Sequence, residues 1–126
     1  MKTLINLLAV SAIFYAVVAS ADFKSFSQAE YDMALKQGKT VVIDFHADWC
    51  PTCKTQAPLL NEIVNMPGYE NVVALKANFD AEKDLKKSLK VSKQSTIVVF
   101  KAGKEVARQA GQTDKAELKK LIDMGL

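Results

Sequence analysis

Cys50 and Cys53 are the only cysteines in the chain, and two residues separate them in the stretch Ala47-Asp48-Trp49-Cys50-Pro51-Thr52-Cys53-Lys54. That spacing suits a reversible dithiol. Residues three apart on a helix share a face, with Cβ atoms about 5–6 Å apart, so a Cys50–Cys53 disulfide can close. Pro51 fits the first helical position, where its fixed φ is helical and its missing N–H is not needed. Cys50 then becomes the N-cap, its sulfur facing the free amides of the first turn and the positive end of the helix dipole. Both features favour thiolate over thiol and make Cys50 the expected nucleophile. Half of a zinc site is the other chemistry for this spacing, but tetrahedral structural zinc needs four ligands and the chain adds only His46. No metal and no bound cofactor is expected. Two inert cysteines remain the bland alternative, against which the junction, Pro51 and Trp49 all argue.

The flanking elements must hold this pair at a strand-to-helix junction. Val41-Val42-Ile43-Asp44-Phe45-His46 reads as a strand buried on both faces, and Leu59, Leu60, Ile63 and Val64 recur at helical spacing after it. Pro58 lies inside that helix, where it removes one backbone hydrogen bond and is expected to kink it; Met66-Pro67-Gly68 is expected to end it. Upstream, Phe23 to Phe26 reads as a short edge strand. Ser27-Gln28-Ala29-Glu30 is a capping box with Phe26 and Tyr31 as its hydrophobic staple, opening a helix from about Ser27 to Gln37 that Gly38 stops. Downstream, the pattern predicts a strand over Val72 to Asp80 and a helix over about Ala81 to Lys90. Thr96 to Phe100 and Lys104 to Arg108 form a hairpin through Ala102-Gly103, and a last helix runs from about Thr113 to Met124. The third helix carries Lys83, Lys86, Lys87 and Lys90 on one side, a solvated face or a docking surface for an acidic partner. This order implies an α/β fold, a central mixed sheet flanked by helices on both faces.

Length and composition bound the rest. The chain has 126 residues and a formal charge of +3. From Thr3 to Ala21 there is no charged residue, and Ala19-Ser20-Ala21 is a small-x-small cleavage pattern, so residues 1–21 read as a secretory signal, with an uncleaved anchor as the alternative. Residues 22–126 are enough for one compact domain. Their balanced charge points to no polyanion, so no nucleic-acid partner is expected, and a monomer is. In an exported, oxidising compartment cysteines usually become structural disulfides, yet none are left over here for that purpose.

Across this domain the chain resembles the thioredoxin-fold family. The matching features are Val42-Ile43-Asp44-Phe45, the stretch from Ala47 to Lys54, Pro58, Lys76-Ala77-Asn78-Phe79-Asp80, the hairpin glycine and Gly111. The Ala-Asp-Trp-Cys wording is similar to periplasmic thiol:disulfide interchange reductases, and Cys-Pro-Thr-Cys to thioredoxin-like reductases of cytochrome c maturation. The resemblance implies that Cys50 attacks a client disulfide and Cys53 resolves the mixed disulfide. It assigns Asp44 as the buried acid that exchanges protons with Cys53, Lys76 as its charged neighbour, and Trp49, Pro51, Thr52, Gln94, Ser95 and Gly111 as client-binding positions. Disulfide-bonded client proteins and a membrane or periplasmic thiol donor are the implied partners. A structural Asp44–Lys76 pair is the plainer alternative.

Two departures from the family stand out. His46 replaces a usual aromatic on the strand face of Asp44, where it tunes the thiols, passes protons, or simply packs. The proline that the family holds in a cis peptide opposite the dithiol is replaced in Gln94-Ser95-Thr96. A cis bond before a non-proline residue costs about 3–4 kcal/mol, so the Gln94–Ser95 bond is expected to be trans, with the Ser95 N–H and hydroxyl presented near Cys50. The leading reading is an exported thiol:disulfide oxidoreductase that reduces protein disulfides. The alternative is a module in which the altered loop and the dithiol capture a metal ion or a polypeptide without redox turnover.

Overall fold

The computed structural model describes Ile13 and residues 22–126. Apart from Ile13, the expected signal segment at residues 1–21 lies outside the described residues. Among the described residues no helix is long and apolar enough to cross a membrane.

The described residues form five strands and four helices in the order β1 (Lys24–Ser25), α1 (Gln28–Lys36), β2 (Val41–His46), α2 (Pro51–Val64), β3 (Val73–Asn78), α3 (Lys83–Leu89), β4 (Thr96–Lys101), β5 (Lys104–Ala110) and α4 (Lys115–Asp123). They form one mixed sheet in the order β1, β3, β2, β4, β5. β2 lies at its centre, parallel to β3 with Asp44 opposite Lys76, and antiparallel to β4 with Phe45 opposite Thr96.

Alternation along β2 divides the core. Val42 packs with Leu60, Ile63 and Val64 of α2 and Leu118, Leu121 and Ile122 of α4 on one face. Val41, Ile43 and Phe45 pack with Tyr31 and Ala34 of α1 and Leu85 of α3 on the other. Removing such side chains from water is worth about 1.5–3 kcal/mol each, which explains why the central strand carries an almost unbroken apolar run. Asp44 interrupts that run on the α2 face.

Local chemistry sets the ends. Ser27 caps α1 by accepting from the Glu30 N–H (3.4 Å), and the Phe26 and Tyr31 rings lie 5.8 Å apart as the staple. Several boundaries differ from the sequence expectation, and side-chain bonds explain three of them. β3 stops at Asn78 and α3 begins only at Lys83, because the Asn78 Oδ1 accepts from the Asp80 and Ala81 amides and turns the chain there. α4 begins at Lys115 because Asp114, rather than Thr113, supplies the cap, accepting from Glu117 N–H at 3.0 Å. α2 runs through Pro58 to Val64 and is capped by Asn65, ahead of the Met66-Pro67-Gly68 stop.

The β4–β5 hairpin turns through Ala102 and Gly103, both with positive φ, the conformation a tight two-residue hairpin requires. A register shift between Val99 and Phe100 bends the pair. β5 is one of the sheet's two outer strands, and its Arg108 folds back to donate to the Leu89 and Lys90 carbonyls at the end of α3 (2.7 and 3.3 Å) and to Glu105. Of the lysine stripe, Lys83, Lys87 and Lys90 are exposed, whereas Lys86 lies 3.8 Å from the centre of the Phe79 ring.

Candidate active site

The dithiol stands where β2 delivers the chain into α2. Cys50 is the N-cap in extended geometry (φ −90°, ψ 113°), Pro51 opens the helix, and the Cys53 backbone N–H donates to Cys50 Sγ at 3.1 Å. This is the capping bond that Ser or Asp makes elsewhere, here made by sulfur, and it strengthens as negative charge gathers on the acceptor. The two thiols are free and buried, packed with Ala47 and against Phe79. Burial, reinforced by the hydrogen bond to Cys50, pushes the Cys53 thiol up to about 11. Cys53 therefore needs a base before it can act as a nucleophile near neutral pH.

Asp44 is the group placed to be that base. It is 2 % exposed, its Oδ1 has no hydrogen-bond partner among the described residues, and burial raises its pKa to about 7 despite the lowering effect of Lys76. Its negative charge is also one of the influences that raise the Cys53 thiol, which couples the two groups electrostatically. Lys76 stands opposite Asp44 in the β2–β3 register but is solvent-exposed, and among the described residues no ion pair joins them. It acts on Asp44 through space.

His46, next but one along β2 and on the same face, lies between Asp44 and solvent. Its Nδ1 is 3.9 Å from Asp44 Oδ2 and has no hydrogen-bond partner among the described residues, and its Nε2 is 3.3 Å from Oδ1 of the fully exposed Asp48. A cleft of about 240 Å³ beside it is lined by Phe26, His46, Asp48, Lys76, Asn78 and Glu82.

The remaining expected positions divide into two sets. Trp49, Pro51 and Thr52 surround the dithiol; the Trp49 ring is 57 % exposed and its Nε1–H donates to Asp80 Oδ2 at 2.8 Å. Gln94, Ser95 and Gly111 line a separate groove of about 420 Å³ with Lys93 and Ala110. Among the described residues no peptide is cis, so the Gln94–Ser95 bond is trans as expected, with Ser95 at the strained value of φ +58°. The expected availability of the Ser95 N–H is corrected. That group donates to the Phe45 carbonyl at 2.8 Å, one residue out of the register in which Phe45 faces Thr96, and has nothing left to offer a thiolate or a client.

Sequence reading missed Gln56. It is fully buried in α2, and its Nε2 donates to the backbone carbonyls of Ser95 (3.2 Å) and Gln112 (2.8 Å). The signal was present: Gln56 is the one polar residue on the helical face of Cys53, Leu60, Ile63 and Val64. Among the described residues no three His, Cys, Asp or Glu side chains gather as a metal-ligand set.

A buried dithiol at a strand-to-helix junction, over a buried carboxyl on a five-stranded mixed sheet, defines a dithiol–disulfide exchange protein of thioredoxin fold. The thioredoxin family profile matches residues 22–124. Thioredoxin-2 of Saccharomyces cerevisiae is 37 % identical over 71 % of this chain and 86 % of its own length. Thioredoxin 1 of Plasmodium falciparum is 34 % identical over 77 % of this chain and 90 % of its own. The crystal structure of Trxlp from Edwardsiella tarda superposes with a TM-score of 0.76 at 34 % identity, covering 78 % of this chain and 95 % of that one. The chain belongs to the thioredoxin family and is a thiol:disulfide oxidoreductase.

Proposed function

We propose that the protein is an exported reductase of protein disulfides, resembling the periplasmic interchange reductases, with Cys50 as attacking thiol, Cys53 as resolving thiol and Asp44 as the proton acceptor. The observation that carries this reading is the pairing of a capped Cys50 sulfur with a Cys53 thiol held near 11 beside a carboxyl held near 7. The Cys50 thiolate attacks one sulfur of a client disulfide, the client S–S bond breaks, and a mixed disulfide forms as one client thiolate leaves and takes a proton. The Cys53 thiol then gives its proton to the Asp44 carboxylate and attacks Cys50 Sγ. The second client thiolate leaves, and two electrons have passed from the dithiol to the client, leaving a Cys50–Cys53 disulfide. A thiol donor, in the membrane or in the same compartment, returns the electrons.

Trp49, Pro51 and Thr52 meet the client around the sulfur, and Gln94, Ser95 and Gly111 supply the groove for its chain. Lys76 and His46 adjust Asp44. Both sulfurs are closed from solvent, so local movement around Trp49 accompanies client entry. Export rests on the uncharged run to Ala21 and its small-x-small end, which makes 22–126 the mature domain.

Potentials for proteins of this fold span roughly −270 to −120 mV, so equilibration of the domain with a glutathione buffer tests direction: a value near the reducing end supports a reductase and one near the oxidising end overturns it. A fusion of residues 1–21 to a reporter active only after export tests location, and a mature N-terminus at Asp22 is expected. Reduced protein loaded with zinc or copper(I) but inert towards disulfides would instead support the metal-binding alternative.

A further inference from the structure

Gln56 occupies a position that packing alone would give to an aliphatic side chain. It projects from α2 on the face of Leu60 and Ile63, fully buried, and its Oε1 has no hydrogen-bond partner among the described residues. Leaving a buried acceptor unpaired opposes folding, and an isosteric apolar residue would avoid that cost. The amide orientation is nonetheless fixed, because exchanging its oxygen and nitrogen would aim an acceptor at the two carbonyls that Nε2 now serves, those of Ser95 and Gln112.

Ser95 lines the groove, and Gln112 lies one residue past its Gly111 wall. Ser95 holds φ +58°, a left-handed conformation that a serine adopts only when its surroundings impose it. Three hydrogen bonds impose it: Ser95 N–H to the Phe45 carbonyl (2.8 Å), Gly111 N–H to the Ser95 carbonyl (3.0 Å), and Gln56 Nε2 to that same carbonyl (3.2 Å). The second Gln56 bond, to Gln112, holds the segment immediately after Gly111. Gln56 is also the next residue after Cys53 on the same face of the helix. It is thus the side chain that links the helix bearing the dithiol to both walls of the Gln94–Ser95–Gly111 groove.

We infer that Gln56 is the positioning residue of the client groove, tying its two walls to the dithiol helix so that it sets affinity for polypeptide disulfides separately from the rate of thiol exchange. This rests on the reading of the dithiol as a protein-disulfide reductase. A small disulfide that touches only the sulfurs has no use for the groove, whereas a polypeptide must lie along it.

The test uses the domain reduced beforehand and mixed in single turnover with increasing oxidised insulin or with dithiobis(nitrobenzoate). Gln56→Leu and Gln56→Met both keep the volume and remove the donors. For each, the half-saturating insulin concentration is expected to rise about tenfold, the worth of roughly one hydrogen bond. The maximal rate and the reaction with the small disulfide are expected to stay within about twofold of wild type, a margin of a few tenths of a kcal/mol. Amide hydrogen exchange at Gly111 is expected to quicken in both variants. Unchanged insulin saturation, or equal losses on both substrates, overturns the inference and leaves the reductase reading intact. Wild-type protein that reduces neither substrate overturns the reductase reading, and the positioning role is then decided by the Gly111 exchange rate, with unaltered exchange overturning it too.

Discussion

Asp44 Oδ2 and His46 Nδ1 lie 3.9 Å apart on one face of the central strand, and the far nitrogen of the same ring lies 3.3 Å from the exposed Asp48. The ring therefore forms part of the wall between a buried carboxyl and water. His46→Phe replaces a polar edge with an apolar one, which desolvates Asp44 further and raises its pKa above the present value of about 7. The expected outcome is a displacement of the pH–rate profile for insulin reduction to higher pH by about half a unit or more, an order-of-magnitude expectation for one added apolar neighbour. A profile that stays in place would show that the imidazole only packs.

Asp44→Asn separates catalysis from stability with opposite signs. The wild-type carboxyl titrates at about 7 in the folded protein against an ordinary 3.8, so the folded state holds a proton that the unfolded chain loses between those values. Its contribution to stability is fully present below pH 3.8, declines as pH rises, and is lost once pH passes about 7. Removing the charge should therefore stabilise the domain by a few kcal/mol at pH 8, at about 1.4 kcal/mol for each pH unit separating the two values, and scarcely at pH 4. The same variant should slow release of the mixed disulfide at least about tenfold, a typical contribution of a general base being 10²–10⁴-fold. Thermal melts at the two pH values and quenched-flow trapping of the intermediate measure both effects.

Cys53→Ser should accumulate mixed disulfides with client proteins, since the resolving thiol is gone, while Cys50→Ser should form none. Non-reducing electrophoresis of trapped complexes reads the difference. Equal trapping by the two variants would reverse or abolish the assignment of roles.

Gly125 sits against the sheet, where an added Cβ would meet Thr40 Cγ2 at 2.7 Å and Val99 Cγ1 at 2.8 Å. Thr40 also donates its hydroxyl to the Gly125 carbonyl. Gly125→Ala should cost about 1–3 kcal/mol, the usual range for overpacking, and lower the urea midpoint without altering the reaction of the dithiol.

Much of this architecture was legible because several local signals agreed. The apolar run from Val41 to Phe45, the capping box at Ser27 and the Pro51 start each predicted the same element that tertiary packing requires. The dithiol itself was legible from two residue types and their spacing. What escaped was long-range chemistry. Gln56 acts on carbonyls 39 and 56 residues away, and nothing in its neighbourhood along the chain announces that. The Ser95 N–H looked available because its partner, the Phe45 carbonyl, is far away along the chain and reaches it only when β2 and β4 come together. Short-range side-chain bonds at Asn78 and Asp114 moved two helix starts by two residues each, since a turn formed by an Asn side chain competes with the first helical turn.

The outer strand β5 bears on how the protein behaves in a crowd of its own copies. Its unpaired edge is a template on which another strand could grow, and its alternation alone would not prevent that. Lys104, Glu105 and Arg108 place charge along it, and the Arg108 guanidinium is anchored backwards onto the end of α3. A second molecule must dislodge that anchor and desolvate the Arg108–Glu105 pair before its own strand can join the sheet. That arrangement guards this edge of the sheet against strand addition, independently of anything the sulfurs do.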